Sequence, residues 1–409
     1  MKLVAVVMSS LVVTVLGCSG SSPDRLGLGN TMPLVVNSGP PGIGYVNGLF
    51  TTIQVCAPGT ATCQTIDSVL VDTGSVGLRI LHSAAGGELS LALPAQVDAE
   101  GNPVEECFAF VTDYTWGPLR LADLTMGGEH VDSMAIQVVG DPSSAEVPAS
   151  CSASGGASAD TLADLDANAI LGVGPYPQDC GGACAEPVTA PGTQNPGNVY
   201  YACPLSGCQP AAVAIADQVQ NPVSSLPLDN NGVIIDLSAV PAAGAPSVTG
   251  SLVFGIGTAS NNALGSATVL SLDPATLSFT TVYLGQAYPM SLIDSGSNAI
   301  YFLDSATTNL PACAGQATAG FYCPVSAEGV SFEAIQQGIN GVAVEVPFDV
   351  ANADALYANE ANYVFNNLAG PSTGGEYFDW GLPFFFGRRV FSAIEGTVAP
   401  GGQTPYVAF

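Results

Sequence analysis

Two stretches of this chain are versions of one another: VLVDTGSVGL at 69–78 and SLIDSGSNAI at 291–300. Leu, Asp, Gly and Ser are identical, and the Val/Ile, Thr/Ser and Leu/Ile exchanges keep size or chemistry. In each copy an aspartate ends an apolar run and enters a glycine turn. A single copy would carry little weight, because an aspartate before a turn usually bonds its own backbone. The chain holds its own controls: Asp67, Asp132 and Asp304 are followed by serine without glycine, and Asp236 follows an apolar run without the turn. Only Asp72 and Asp294 have the whole pattern. A carboxylate behind buried strand residues is costly without partners, so the duplication implies two halves of similar design that bring the two acids together.

The rest of the sequence fits an all-β chain. Its 409 residues allow two domains or one large bilobal one, and 47% hydrophobic content excludes a disordered chain. The 48 glycines and 30 prolines follow no collagen-like or heptad period, which points to short strands joined by turns. TTIQVC, DSVLVD, CFAFVTDY, MAIQVV, GVIIDL, GSLVFGIG, ATVLSL, LSFTTVYL and VAVEVPFDV read as strands. Helices are predicted only at 211–220 and 360–369. Small-residue stretches at 152–168 and 181–197 read as surface loops pinned by disulfides. Tyr377, Phe378, Trp380, Phe384, Phe385 and Phe386 read as core.

Charge excludes one class of function. There are 34 acidic residues against 6 basic ones, a formal −28. Lys2 is the sole lysine, so removal of the N-terminus takes away its +1 and leaves −29 with five arginines. Such a surface has almost nothing with which to neutralise phosphates, so nucleic acid and anionic headgroups are excluded as partners.

The N-terminus reads as an export signal. The apolar run Leu3–Leu16 is too short to span ~30 Å of hydrocarbon. VLGC at 15–18 resembles the lipobox of bacterial lipoproteins, which implies a signal peptide at 1–17, lipidation of Cys18 and a tether at 18–33. The implied location is the bacterial cell envelope, at the outer membrane, with the lipid as the sole membrane contact. An ordinary secretory signal, giving a periplasmic or secreted chain, is the alternative.

Setting Cys18 aside leaves ten of the 11 cysteines to pair. Cys56/Cys63, Cys180/Cys184, Cys203/Cys208 and Cys313/Cys323 are close enough for local loops, which leaves Cys107 with Cys151; spacing alone does not fix the connectivity. His82 and His130 are not at zinc-ligand spacing from any cysteine pair. An oxidising compartment follows.

Paired strand-end aspartates have a definite chemistry. If Asp72 and Asp294 face each other within ~3 Å they share one proton. The ionised member then takes a proton from a bound water as it attacks a peptide carbonyl, and the protonated member steadies the developing oxyanion. No metal or cofactor is required. Gly74 and Gly296 let the backbone turn tightly and present amide donors, and Thr73, Ser75, Ser295 and Ser297 supply orienting hydroxyls.

At these residues the chain resembles the pepsin-like aspartic proteases. AILGVGP at 169–175 looks like the strand beneath that family's first active-site loop, and GSLVFGIG at 250–257 like the strand near the crossover between lobes. GLPFFFGRRVFSAI at 381–394 stands in place of the matching C-terminal strand. More narrowly, VDTGSVGLRI and LPFFFGRRVF look like a bacterial family of exported proteins known only as a domain of unknown function. The resemblance implies two β-barrel-like lobes related by a pseudo-twofold axis with a cleft between them. The lobes would span 34–255 and 256–409, each carrying one active-site loop. It implies a monomeric endopeptidase acting on polypeptides, best at acidic pH.

Two departures stand out. Arg79 occupies the place of a tryptophan that, in the family, holds a flap tyrosine. The candidate flap at 110–128 offers Tyr114 and Trp116, and either is expected to stack on Arg79, the alternative being an exposed or ion-paired arginine. A long basic inhibitory leader is also missing between Cys18 and Leu34. A weak or inactive binding or inhibitory surface protein of the same fold is the second reading.

Overall fold

The computed structural model describes residues 29–84, 86–153, 156–186, 199–326, 329–372 and 377–409. The expected signal peptide, Cys18 and most of the expected tether lie outside these residues. Among the described residues no helix is long and apolar enough to cross a membrane.

Folding starts earlier than the sequence suggested. The strand Thr31–Asn37 pairs with Val248–Phe254 from Thr31 onward, because Met32, Leu34 and Val36 alternate inward. Residues 31–33, expected in the tether, are therefore part of the sheet.

Each half is built around the same arrangement. In the first, the strand Cys63–Asp72 runs parallel to Ala169–Val173, and Val76–Leu81 pairs antiparallel with that same strand and parallel with Glu129–Val139. In the second, Gln286–Ile293 runs parallel to Phe378–Trp380, and Ile300–Phe302 pairs antiparallel with it and parallel with Ala369–Gly370. Strands covered on both faces read as continuous apolar runs, which is why VLV and AILGV alternate so little. Aspartates 72 and 294 leave these paired strands at matching points.

The halves share one sheet. Thr31–Asn37, Val248–Phe254, Gly232–Leu237, Arg389–Ala393, Tyr406–Ala408 and Val269–Ser271 lie side by side. A boundary at 255 cuts through this continuous sheet. A second sheet of seven strands, including Val330–Gln337 and Ala343–Val350, belongs to the later half.

Several elements differ from expectation. CFAFVTDY is two strands, Val104–Ala109 and the start of Asp113–Met126, joined by a turn at 110–112. At 211–220 there is only a short 3-10 turn, Ile215–Asp217. The Gln218 side chain there donates to the carbonyls of Gly181 and Val213 (both 2.9 Å), holding the segment against its neighbours in place of a helix. At 360–369 the chain is irregular, with turns at 360–361 and 366–367, and Asn366 and Asn367 donate to the distant carbonyls of Val240 and Ala242. The stretch 152–168 contains a short strand, Ala157–Ser158, and a helical turn, Leu162–Leu165. Residues 187–198, which take in most of the expected loop at 181–197, are outside the described residues.

All five cysteine pairs form: Cys56–Cys63, Cys107–Cys151, Cys180–Cys184, Cys203–Cys208 and Cys313–Cys323. They are consistent with export. Phe378, Trp380, Phe384, Phe385 and Phe386 are buried in the core, while Tyr377 is half-buried.

Candidate active site

The two duplicated loops meet. The Thr73 amide donates to Ser295 Oγ (3.1 Å) and the Ser295 amide donates to Thr73 Oγ1 (2.9 Å). Each hydroxyl then donates to a backbone carbonyl of the opposite strand, Thr73 to Ile293 (3.1 Å) and Ser295 to Val71 (2.8 Å). This exchange obeys a local twofold axis. It also revises one expectation: the Thr73 and Ser295 hydroxyls bind the loops together rather than orient the carboxyls.

Ser75 and Ser297 do orient them. Ser75 Oγ donates a short bond to Asp72 Oδ2, and the Gly74 amide donates to Asp72 Oδ1 at 2.7 Å. Symmetrically, Ser297 Oγ contacts Asp294 Oδ2 at 2.8 Å and the Gly296 amide donates to Asp294 Oδ1 at 2.8 Å. The Asp72 and Asp294 carboxyls lie within hydrogen-bonding reach of each other. Asp72 is 6% exposed, and Asp294 is half-buried. Burial first, then the charge of Asp72 and after it that of Asp379, hold the Asp294 carboxyl well above the usual carboxylate range.

Neither glycine has a left-handed backbone. What they supply is close approach: a Cβ on Gly74 would lie 2.7 Å from the Asp294 carboxyl, and one on Gly296 2.5 Å from Asp72 Oδ1. A cavity of about 210 Å³ adjoins the loops, walled by Gly74, Tyr176, Leu277, Phe279 and Leu292.

The strand beneath the second loop is Phe378–Trp380, not 381–394, most of which forms a 3-10 turn and the strand Arg389–Ala393. It brings in a residue that sequence reasoning missed. Asp379 Oδ2 lies 2.6 Å from Ser297 Oγ, and Asp379 is 2% exposed. A signal for it existed. Laying AILGV over FDWGL, as the duplication demands, sets Asp379 where the first half has Ile170, and the registers agree: Leu70 pairs with Ile170 and Leu292 with Asp379.

Arg79 is ion-paired, as the alternative had it, but buried rather than exposed. Its guanidinium lies 3.6 Å from the centre of the Phe108 ring. Neither Tyr114 nor Trp116 stacks on it; Trp116 packs edge-on against Tyr201 and its indole donates to the Ala145 carbonyl at 3.0 Å. In the hairpin Phe108 is the residue that pairs with Thr115, one position from Trp116. Arg79 donates to Glu106 Oε1 (2.6 Å), Asp179 Oδ2 (3.2 Å) and the Val76 carbonyl (2.7 Å). Tyr200 donates to the other Asp179 oxygen. With one cation for two carboxyls, burial and then the charge of Glu106 push the Asp179 carboxyl well above the usual carboxylate range.

Among the described residues, three groups with metal-ligating side chains offer little. Two contain disulfide-bonded cysteines, and in the third, Asp123, His130 and Asp132, both His130 ring nitrogens and both Asp123 oxygens are already hydrogen-bonded.

Comparison with solved structures defines the class. The chain matches the crystal structure of an aspartic proteinase from Irpex lacteus with a TM-score of 0.52, at 15% sequence identity, over 92% of this chain and 96% of that chain. The fold is thus the bilobal, all-β, pepsin-like one. Within it, residues 28–409 match DUF3443, a family described as proteins of unknown function, and the chain belongs to that family. Curated protein sequences return no match.

Proposed function

We propose that this chain is an exported, lipid-anchored aspartic-type endopeptidase in which Asp72 and Asp294 activate a water for attack on a peptide bond. One observation carries the reading: the reciprocal Thr73/Ser295 exchange holds two carboxyls within hydrogen-bonding reach, each with its own serine and amide donors. Two adjacent carboxyls share one proton because both cannot ionise at such separation. The monoanion then contains base and acid together. The base takes the proton of the water as its oxygen bonds to the carbonyl carbon, and the acid hydrogen-bonds the carbonyl oxygen; the leaving amine afterwards collects a proton and the C–N bond breaks. Burial and the Asp72 charge hold the Asp294 carboxyl well above the usual carboxylate range, which favours one proton shared by the pair and with it an acidic optimum. The apolar wall of the adjoining cavity suits an apolar side chain of the peptide.

Cleavage of a mixed peptide library from acid to neutral pH, with and without a statine-type inhibitor, tests this. Asp72→Asn and Asp294→Asn should each lose roughly 10²–10⁴-fold in kcat/KM. Full activity in either variant removes the proposal. Cys18→Ser should release the chain from the membrane fraction, and retention there would remove the anchor.

The buried Arg79 network supports a second reading. It fixes the first-half hairpin strand by ion pairs in place of a movable aromatic contact, which suits a binding protein that holds peptide without cutting it. Peptide binding with no cleavage at any pH favours that reading.

A further inference from the structure

The duplicated loops are symmetric down to their serines, but the surroundings of those serines are not. Ser75 serves one carboxyl, Asp72, whereas Ser297 Oγ lies 2.8 Å from Asp294 Oδ2 and 2.6 Å from Asp379 Oδ2. A hydroxyl carries one proton and donates one bond. Both contacts are hydrogen bonds only if one of the two carboxyls brings a proton of its own and donates it to Ser297 Oγ.

Asp379 is placed to hold that proton. It sits inside the strand Phe378–Trp380, and its Oδ1 is buried without a well-formed hydrogen bond. The ionisable groups facing it are Asp294 and Asp72 from the two loops, Tyr377 at the start of its own strand, and Tyr301 on the neighbouring strand. None of them is a cation. Both tyrosines are themselves pushed up, by burial first and then by nearby carboxylate charge, so they stay neutral. The first half has Ile170 at the equivalent place, so nothing in the shared design of the halves demands an acid here.

We propose that Asp379 is a positioning residue that carries a second proton, donates it to Ser297 and thereby commits the Ser297 proton to Asp294, and that its ionisation sets the upper pH limit of the peptidase. The inference rests on the peptidase reading above. Burial, with the Asp72 charge beside it, pushes the Asp379 carboxyl up to about 7. Below that pH the order is fixed: Asp379 donates to Ser297, and Ser297 donates to Asp294. Above it, one Ser297 proton faces two acceptors and a new negative charge stands beside the pair.

Two variants and two readouts test this. Asp379→Asn keeps a donor to Ser297 without a titratable charge. It should cleave peptide at acidic pH within a few-fold of the wild type, with its upper pH limit moved up by about one unit or more. Asp379→Ala lacks the donor and should lose kcat at every pH, a loss that Asn restores. Independently of turnover, infrared titration from about pH 5 to about pH 8 should show protonated-carboxyl absorption that fades in the wild type and is smaller by one carboxyl in Asp379→Asn. An unchanged upper limit in Asp379→Asn, or unchanged absorption, overturns the inference while leaving the peptidase standing. Absorption smaller by one carboxyl in Asp379→Asn, together with no cleavage by any form, supports the proton on Asp379 and sinks the peptidase reading.

Discussion

Gly296 has ordinary backbone angles, yet a methyl group there would sit 2.5 Å from an oxygen of Asp72. A contact that short forces something to shift, and the carboxyl pair is what lies in the way. Gly296→Ala should therefore reduce peptide cleavage by roughly 10²-fold, the scale expected when reacting groups are displaced by about 1 Å. Circular dichroism should report an intact fold, and unchanged kcat/KM would show that the loops relax without moving the acids. Ser295→Ala acts on the fold instead. It leaves the Thr73 amide and the Val71 carbonyl buried and unpaired, a loss of about 1–3 kcal/mol that urea unfolding can measure. Both loops and all their polar residues were legible in the sequence, because a duplicated pattern tests itself. The division of labour among the hydroxyls was not, since Thr73 and Ser75 differ only in which way the chain points them. Asp379 was hidden for another reason: it lies among aromatic residues, and an aromatic-rich run reads as core whatever single acid it contains.

At the scale of elements, the strands were legible because apolar runs bounded by Gly, Pro and Asn have few other folds open to them. The two expected helices failed where the side chains of Gln218, Asn366 and Asn367 bond the carbonyls of Gly181, Val240 and Ala242, far away in sequence, partners that no local pattern reveals. The hairpin of Val104–Ala109 and Asp113–Met126 combines both cases. Its strands were visible, but its attachment through Arg79, Glu106 and Asp179 required knowing which residues meet. Arg79→Met removes the cation from between two buried carboxyls. The variant should be destabilised by about 3–5 kcal/mol at neutral pH, and by less in acid, where the raised Asp179 carboxyl depends less on the cation. Urea midpoints at the two pH values check this, and equal losses at both would mean that packing on Phe108 matters more than charge. The same hairpin is tied at Cys107 to Cys151, 44 residues on. In the chain-entropy account that link contributes ~4 kcal/mol. A Cys107→Ser, Cys151→Ser double variant should open the hairpin to proteolysis before the rest of the chain.

For the whole molecule, pH acts through two physical routes that point the same way and can be separated. The buried acids have folded-state values above their unfolded ones: Asp294 and Asp179 well above, Asp379 and Glu105 at about 7, and Asp166 at about 6, with burial the largest cause in each. Between about pH 4 and about pH 7 the unfolded chain has released protons that the folded chain still holds, so stability falls as pH rises through that window. Asp98 and Asp141 are shifted downward and oppose this only as pH drops below the usual carboxylate range. The second route is the formal charge of −28, whose self-repulsion grows as surface acids ionise. Both routes give a Tm that is higher near pH 5 than near pH 8. Salt distinguishes them, because it screens exposed charges but hardly reaches buried ones. In thermal unfolding at pH 8, added sodium chloride should recover part of the lost Tm and leave a remainder. Asp379→Asn should then reduce that remainder, while at pH 5 it should change Tm much less. Complete recovery by salt alone would mean that the buried acids titrate normally and that the surface governs the acid preference; a Tm that rises from pH 5 to pH 8 would contradict both routes at once.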